Sequence, residues 1–588
     1  MPDTAAPTQG QKTWPVLSIA EAHARLTAPG ERFELDEAVI DGVPTKVWKN
    51  APPTLLDVLL NGRAFGEREF LVYEDDRATF EAFTRAVVTL AHRLQADGVK
   101  KGDRVAVVMR NLPEWPVAFF AAAIVGAVVT PLNAWWTGPE LEFGLSDSGA
   151  KVALVDDERL ERILAHLDAC PDLARIYVTR AADLPADPRL ARLEDVIGPV
   201  NSWKALPDQP LPDVALAPDD VATIFYTSGT TGRPKGALGT HRNLTANIMA
   251  SACAAARGFL RRGEPIPEQD AHKLPQRVYL LVVPMFHVTG CNATLSPAIN
   301  SGSKLVLMRK WEPVEAMGLI ERERVTNTGG VPTIAWQLIE HPARKDFDLS
   351  SLTTVAYGGA PSAPDLVRKI VETFPGSAPS NGWGMTETSA TCTTNIGKDY
   401  EHRPDSCGVA PPPCELKIVD PVDGVTVLPP GRVGELWAKG PNIVKGYWNR
   451  PEATAETFVD GWVRTGDLAR LDEEGFCFIV DRAKDMLIRG GENIYCVEVE
   501  NVLYDHPDVM DAALIGLPHR TLGEEPAAVV HLRPGGAATE DELRAFVRER
   551  LAAFKVPVKV AFWPETLPRN ANGKIMKSEL KSAFEETA

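Results

Sequence analysis

The stretch that most limits what this chain can become is Tyr226-Thr-Ser-Gly-Thr-Thr-Gly-Arg-Pro-Lys-Gly236. Glycines stand at 229, 232 and 236, hydroxyls at 227, 228, 230 and 231, and Arg233 and Lys235 close the run. The apolar segment Val221-Ala-Thr-Ile-Phe225 before it reads as a buried strand. A helical period follows over about 241–256, with Leu244, Ile248 and Ala252 on one face. A strand, a glycine-rich turn and a helix make a phosphate cradle. Glycines let the backbone N–H groups close in, and hydroxyls and a lysine add donors and charge. The spacing is not Walker A, because Pro234 stands five after Gly229 and Gly236, not Ser or Thr, follows Lys235. A Gly/Ser/Thr cluster on its own would read as a surface loop, so the weight rests on the order of all eleven residues.

At 588 residues the chain exceeds one core and allows three or four units. A net charge of -17 argues against non-specific nucleic-acid binding, which needs a basic face, but allows a local basic pocket for an anionic substrate. The eight cysteines form no Cys-x-x-Cys pair and no metal-ligand spacing, which suits a reducing cytoplasm. Met1-Pro-Asp-Thr lacks the basic start of a signal peptide, and the apolar stretch 117–130 is too short to span a bilayer.

Residues 1–50 show no clear pattern and are expected as an extension wrapping the surface or partly disordered. Thr79 can cap a helix whose apolar face is Phe80, Phe83, Val87, Leu90 and Leu94. Strands expected near 104–109, 127–131 and 152–155 alternate with helices, which implies a parallel sheet covered on both faces. The Pro- and Asp-rich 180–215 reads as a surface linker, and 256–277 as a solvated loop whose Arg257, Arg261 and Arg262 could meet a membrane or the phosphates of coenzyme A. Further strands are expected near 278–283, 304–308 and 353–357, and 381–388 reads as a loop. Residues 405–480 read as short strands of a small barrel-like subdomain. After 481–485 a compact α+β unit begins, with helices near 497–504 and 539–553 and strands near 512–515, 527–532 and 558–562.

The 226–236 run resembles the phosphate loop of the adenylate-forming superfamily: acyl-CoA synthetases, nonribosomal peptide adenylation domains and luciferases. More signatures follow in the family's order, over about 50–580. The resemblance implies a large α/β N-terminal AMP-binding domain (51–481) of parallel sheets flanked by helices plus a barrel-like subdomain. A smaller, mobile α+β domain (482–588) would be joined to it by a hinge at Lys484. It implies ATP, Mg²⁺ and coenzyme A, and a small carboxylic acid as substrate. No nucleic-acid partner is implied, and a homodimer is left open. Thr227, Ser228, Gly229, Thr230, Thr231, Gly232 and Lys235 would hold phosphates. Gly359-Ala360-Pro361 would line the adenine side, and Trp383-Gly384-Met385-Thr386-Glu387 resembles the aromatic-Gly-x-Thr-Glu signature. On that likeness Trp383 stacks on adenine, Thr386 touches the α-phosphate and Glu387 holds Mg²⁺. Trp383 replaces the commoner tyrosine and loses its hydroxyl. Asp467 would bind both ribose hydroxyls, with Arg482 beside it, and Lys574 matches the catalytic lysine near the C-terminus. Arg489, Gly490 and Gly491 resemble the segment that lines the coenzyme A tunnel, and Cys496 stands where proline is common.

For the acyl pocket the resemblance points to His287, Val288, Thr289, Gly290, Gly330, Val331, Tyr357 and Gly384, with Gly329 and Ala356 beside them. Valine at 288 lacks the carboxylate that pairs an amino group, and glycine at 384 lacks the tryptophan that floors an acetate pocket. A medium- or long-chain fatty acid or an aryl or alicyclic acid is expected. The rivals are an adenylating enzyme that passes the acyl group to an amine or carrier protein, and a non-catalytic fold relative. The latter should have lost Lys574, Glu387 or Asp467, and all three are present.

Overall fold

The computed structural model describes residues 14–227, 233–267, 270–358, 364–483, 485–489, 492–570 and 573–587. Among these residues the chain up to Arg482 builds three sheets besides a short hairpin at the start, and the chain from Leu487 builds a fourth. The first sheet has seven strands. Gly236–Thr240 lies at one edge, then Val221–Tyr226, Val128–Pro131, Arg104–Val108, Ala150–Asp156, Arg175–Thr179 and Leu190–Arg192. Apart from the edge hairpin its pairs are parallel, and valine and alanine fill both faces, as burial under helices on each side requires. The Glu114–Ile124 helix, buried along its whole length, sits in the largest core cluster.

The second sheet has eight strands, in the order Ala390–Ile396, Ala378–Met385, Thr354–Gly358, Asn327–Gly330, Val278–Leu281, Lys304–Leu307, Glu69–Tyr73 and Asp76–Thr79. The helix after Thr79 forms as expected: the Thr79 side chain accepts from Ala82 N–H, and Phe80, Phe83, Val87, Leu90 and Leu94 are buried. A third, antiparallel sheet (Glu415–Val419, Gly434–Lys439, Trp462–Leu471, Phe458–Val459 and Cys477–Arg482) is the expected subdomain. The C-terminal sheet pairs Val509–His519 with Gly523–Leu532 along their length, and Lys559–Phe562 joins in parallel.

Four expectations change. Residues 14–50 carry a capped helix, Ile19–Leu26, and a hairpin, Leu35–Ile40 with Val43–Trp48. Ala22, Leu26, Phe33 and Trp48 pack on Met249, Cys253 and Leu260, so this segment is part of a core. Residues 190–206 are less of a free linker than expected, since Leu193, Ile197 and Trp203 are buried. The helix expected to stop at 256 runs His241–Arg261, and Arg257 and Arg261 lie inside, the latter paired with Asp399 at 2.7 Å. These two side chains are therefore not the wet face proposed for a membrane or coenzyme A. Residues 381–385, expected as a loop, are the end of the Ala378–Met385 strand.

Candidate active site

The described ends of the glycine-rich run are two paired strands. Val221–Tyr226 pairs antiparallel with Gly236–Thr240, and Thr227 N–H donates to Lys235 O at 2.8 Å. A second strand thus separates the turn from the helix, so the helix N-terminus at His241 is not at the turn itself. Ser228, Gly229, Thr230, Thr231 and Gly232 lie outside the described residues, as do Gly359, Ala360, Pro361, Lys484, Gly490 and Gly491. Residues 444–448 extend the hairpin: Leu238 N–H donates to Gly446 O and Trp448 N–H to Gly236 O. That places Tyr447 over Lys235, whose Nζ is 4.8 Å from the ring centroid. The Tyr447 hydroxyl donates to Glu387 Oε1 at 2.6 Å. Burial and the Glu387 charge push the Tyr447 phenol well above its ordinary range, so it stays a donor. Glycine-rich hairpin, lysine and carboxylate are thereby joined by a tyrosine that no motif had marked.

Glu387 is only 7% exposed and sits in one tight turn, Thr386–Thr388, at the end of the Ala378–Met385 strand. The turn forces Ser389 (φ 54°) and Ala390 (φ 105°) into left-handed backbone, which side chains resist. Buried amides hold it there. Asn247 and Asn292 both donate to Ser389 O, at 2.9 and 3.0 Å, and Asn247 Oδ1 accepts from Thr391 N–H. Asn442 donates to Thr388 O at 3.2 Å, and Asn243 ties Pro441 O and Ile443 O to the same helix. Asn243 and Asn247, four residues apart on one helix face, were a readable polar stripe; Asn292 and Asn442 carried no signal.

Trp383, Asp467 and Arg482 come together. The indole N–H donates to Asp467 Oδ2 at 2.8 Å, and Arg482 Nε stands 3.4 Å from Asp467 Oδ1, the two residues pairing across neighbouring strands. The tryptophan therefore supplies through nitrogen a donor in place of the hydroxyl it lacks. Asp467 is 7% exposed, so the carboxylate of this pair is shielded while the Arg482 side chain stays partly open to water.

On the acyl side, His287 caps the short Val288–Gly290 helix, and its Nδ1 accepts from Thr289 N–H. Burial, and then the Lys574 charge, push its pKa down to about 4, so the ring is neutral at physiological pH. Val288 is buried with Met285, Cys291 and Leu295 and borders a small void with Thr386 and Asn292. A Cβ at Gly290 would stand 2.2 Å from Pro284 O, so only glycine fits. Two pocket assignments are corrected. A Cβ at Gly384 would lie 1.5 Å from Ala390 O, so this glycine answers to the neighbouring strand, not to pocket depth. Tyr357 turns into the core under the second sheet, where its hydroxyl bonds Tyr400 at 2.7 Å; Ala356 faces the other way.

Lys574 arrives on a tight hairpin. Asn570 N–H donates to Lys574 O, Lys574 N–H donates to Asn570 Oδ1, and Arg569 bridges Gly573 O to both carboxylate oxygens of Asp511 at 2.8 Å. Gly573 lies against Val331, since a Cβ there would come within 2.5 Å of its side chain. The Lys574 charge thus reaches His287, and the lysine from the far end of the chain faces the cleft of Gly330 and Val331. Arg533 also pairs with Glu340 and covers Trp336, both on the Pro332–Glu340 helix that follows that cleft. Arg489, away from this group, pairs with Glu525 at 3.1 Å.

Among the described residues, Lys235 and Tyr447 stand beside the buried Glu387, Asp467 pairs with Arg482, and the segment that carries Lys574 lies against Val331, an arrangement suited to an anionic substrate. The chain belongs to the AMP-binding enzyme family: the family model matches residues 60–448 and the model of the family's C-terminal domain residues 498–574. It is 38% identical over 506 residues to a feruloyl-CoA synthase of Amycolatopsis sp, covering 86% of this chain and 94% of that protein. It is 33% identical over 546 residues to a long-chain-fatty-acid–CoA ligase of Bacillus subtilis, covering 90% and 94%. Its structure superposes with a TM-score of 0.72 and 30% identity on the o-succinylbenzoate CoA synthetase of Bacillus subtilis with its acyl-adenylate intermediate, covering 90% and 98%. The protein is an AMP-forming acid–thiol ligase that depends on ATP. Among the described residues no helix is long and apolar enough to cross a membrane.

Proposed function

We propose that the protein joins an apolar carboxylic acid to coenzyme A, first as acyl-AMP with release of pyrophosphate and then as the thioester with release of AMP. The observation that carries this reading is Gly573 lying against Val331, which brings the neighbouring Lys574 near enough for its charge to act on His287. In the first step the acid carboxylate attacks the α-phosphorus of ATP, and both are anionic. At about 4 Å two unit charges repel by about 4 kcal/mol at an effective dielectric of about 20. Lys574 would offset that repulsion where charge builds up. Lys235 and the glycine-rich turn would hold the phosphates, and Asp467 with Arg482 the ribose. Trp383 would stand beside the adenine and Thr386 at the α-phosphate.

Mg²⁺ fits Glu387. Mg²⁺ prefers one or two carboxylates plus phosphate oxygens, and among the described residues no cluster of three metal-ligating side chains exists to compete. When bound it would neutralise phosphate charge; this chain supplies the buried carboxylate and, through Tyr447, fixes one of its oxygens. His287, neutral and partly buried, suits a donor or gate toward the carboxylate of the acid. For the second step, rotation about Lys484 would exchange the lysine hairpin for the Arg489–Gly491 segment. The lining by Val331, Ala356 and Gly330, with no cation for a second carboxylate among them, favours an aryl or fatty acid. The feruloyl and long-chain relatives support those two classes. Pyrophosphate and AMP formation should be measured with a panel of hydroxycinnamic, benzoic and fatty acids, with and without coenzyme A. Turnover should depend on the acid and yield a thioester only with coenzyme A. Failure to convert ATP to AMP with any acid would end the proposal.

A further inference from the structure

The Cys496–Tyr504 helix begins without a cap of its own: the residue before it is Tyr495, whose side chain makes no capping bond. Its first N–H, of Cys496, donates instead to Asp481 Oδ2 at 2.5 Å. Asp481 lies on the Cys477–Arg482 strand of the third sheet, paired with Leu468, and is 2% exposed. Its other oxygen accepts from Arg482 N–H at 2.7 Å. Facing it are Lys577, whose Nζ is 2.7 Å from Glu500 Oε1, and Glu500, which also accepts from Leu514 N–H. Lys577 follows Lys574 by three residues. A carboxylate on one side of residue 484 thus caps a helix on the other side. It also feels the cation next to the lysine hairpin. An anion at a helix N-terminus is favoured by the exposed N–H and by the helix dipole.

We propose that Asp481 is a positioning residue. By capping the 496–504 helix and facing Lys577, it holds the C-terminal unit in the orientation that delivers Lys574 to the cleft. This rests on the two-step reading above. A rotation about residue 484 pulls the helix N-terminus off Asp481, so the contact favours the first step and must break for the second. Burial lifts its pKa to about 6, and above that pH the carboxylate is charged and the contact is at its strongest.

The test uses the full chain with Asp481→Asn and Asp481→Ala, and follows each half-reaction alone. Pyrophosphate release reports the first. Thioester formation from supplied acyl-adenylate and coenzyme A reports the second. The first should slow by about tenfold or more, the loss expected for a hydrogen bond to a charged group, while the second is unchanged or faster. Asn, which keeps an acceptor, should recover part of the loss seen with Ala. If Asp481→Ala does not fold, Lys577→Met leaves Asp481 facing Glu500 alone and should give the same split. Equal loss in both halves, or no loss in either, overturns the positioning role. In either case wild-type turnover of ATP to AMP leaves the two-step reading standing, and its absence removes both.

Discussion

Gly384 shows how one residue can satisfy a motif for a reason the motif does not reveal. Its missing side chain was read as pocket depth, yet the space a Cβ would fill belongs to Ala390 O. Gly384→Ala should therefore destabilise the protein by about 1–3 kcal/mol, the range for forced overpacking. It should lower turnover of small and bulky acids alike. Thermal unfolding and an acid-length series decide it; a loss confined to bulky acids would restore the pocket-floor reading. Lys574 is a different case, because its hairpin is held by Arg569 and Asp511 independently of the side chain. Lys574→Ala should slow adenylation by about 10²–10³, the range for losing one preorganised charge-stabilising donor, and spare thioester formation from supplied acyl-adenylate. Parallel loss in both half-reactions would refute that division. Glu387, Asp467 and Lys574 were legible because each stands in a run of fixed order. Tyr447 was not, because a tyrosine that orients a carboxylate leaves no spacing of its own.

Among the elements, the His241–Arg261 helix does the most positioning. Its start was readable from the apolar period after the glycine-rich run. Its end was not, since the partner of Arg261 is Asp399, 138 residues away, and nothing local separates a buried arginine from a solvated one. The same helix carries Asn247, whose amide holds Ser389 O and Thr391 N–H in the strained turn behind Glu387. Asn247→Leu should cost about 1–3 kcal/mol by stranding Thr391 N–H, and should raise the KM for MgATP more than that for the acid. Denaturant unfolding and initial rates at varied MgATP test this. An unchanged KM with the stability loss present would make Asn247 structural alone. The Ala378–Met385 strand escaped the sequence reading because glycines and polar residues hide its alternation, and only its pairing with two neighbours makes it a strand.

For the molecule as a whole, the alternation of strands and helices foretold a parallel sheet covered on both faces, and the change of pattern after 481–485 a separate C-terminal unit, but neither foretold the hairpin at the start that packs on the 241–261 helix. Three histidines, His241 buried and His23 and His287 partly so, are held in their neutral forms. Burial and nearby Arg257 and Arg261 push His23 down to about 3, and burial pushes His241 and His287 to about 4. In the unfolded chain each takes up a proton near 6.5. Their contribution to stability is thus fully present above about 6.5, and it is lost as pH falls toward about 4. Melting temperatures across that window should decline with acid, and His23→Gln should flatten part of the slope; an unchanged slope would remove His23 from the account.

Gly573 resting on Val331 fixes a timetable. On the two-step reading proposed above, that contact sets the lysine beside the wall of the acid cleft, so the carboxylate would have to be seated before the hairpin closes on Val331, and the reactive anhydride would be released to the thiol only once it lifts away.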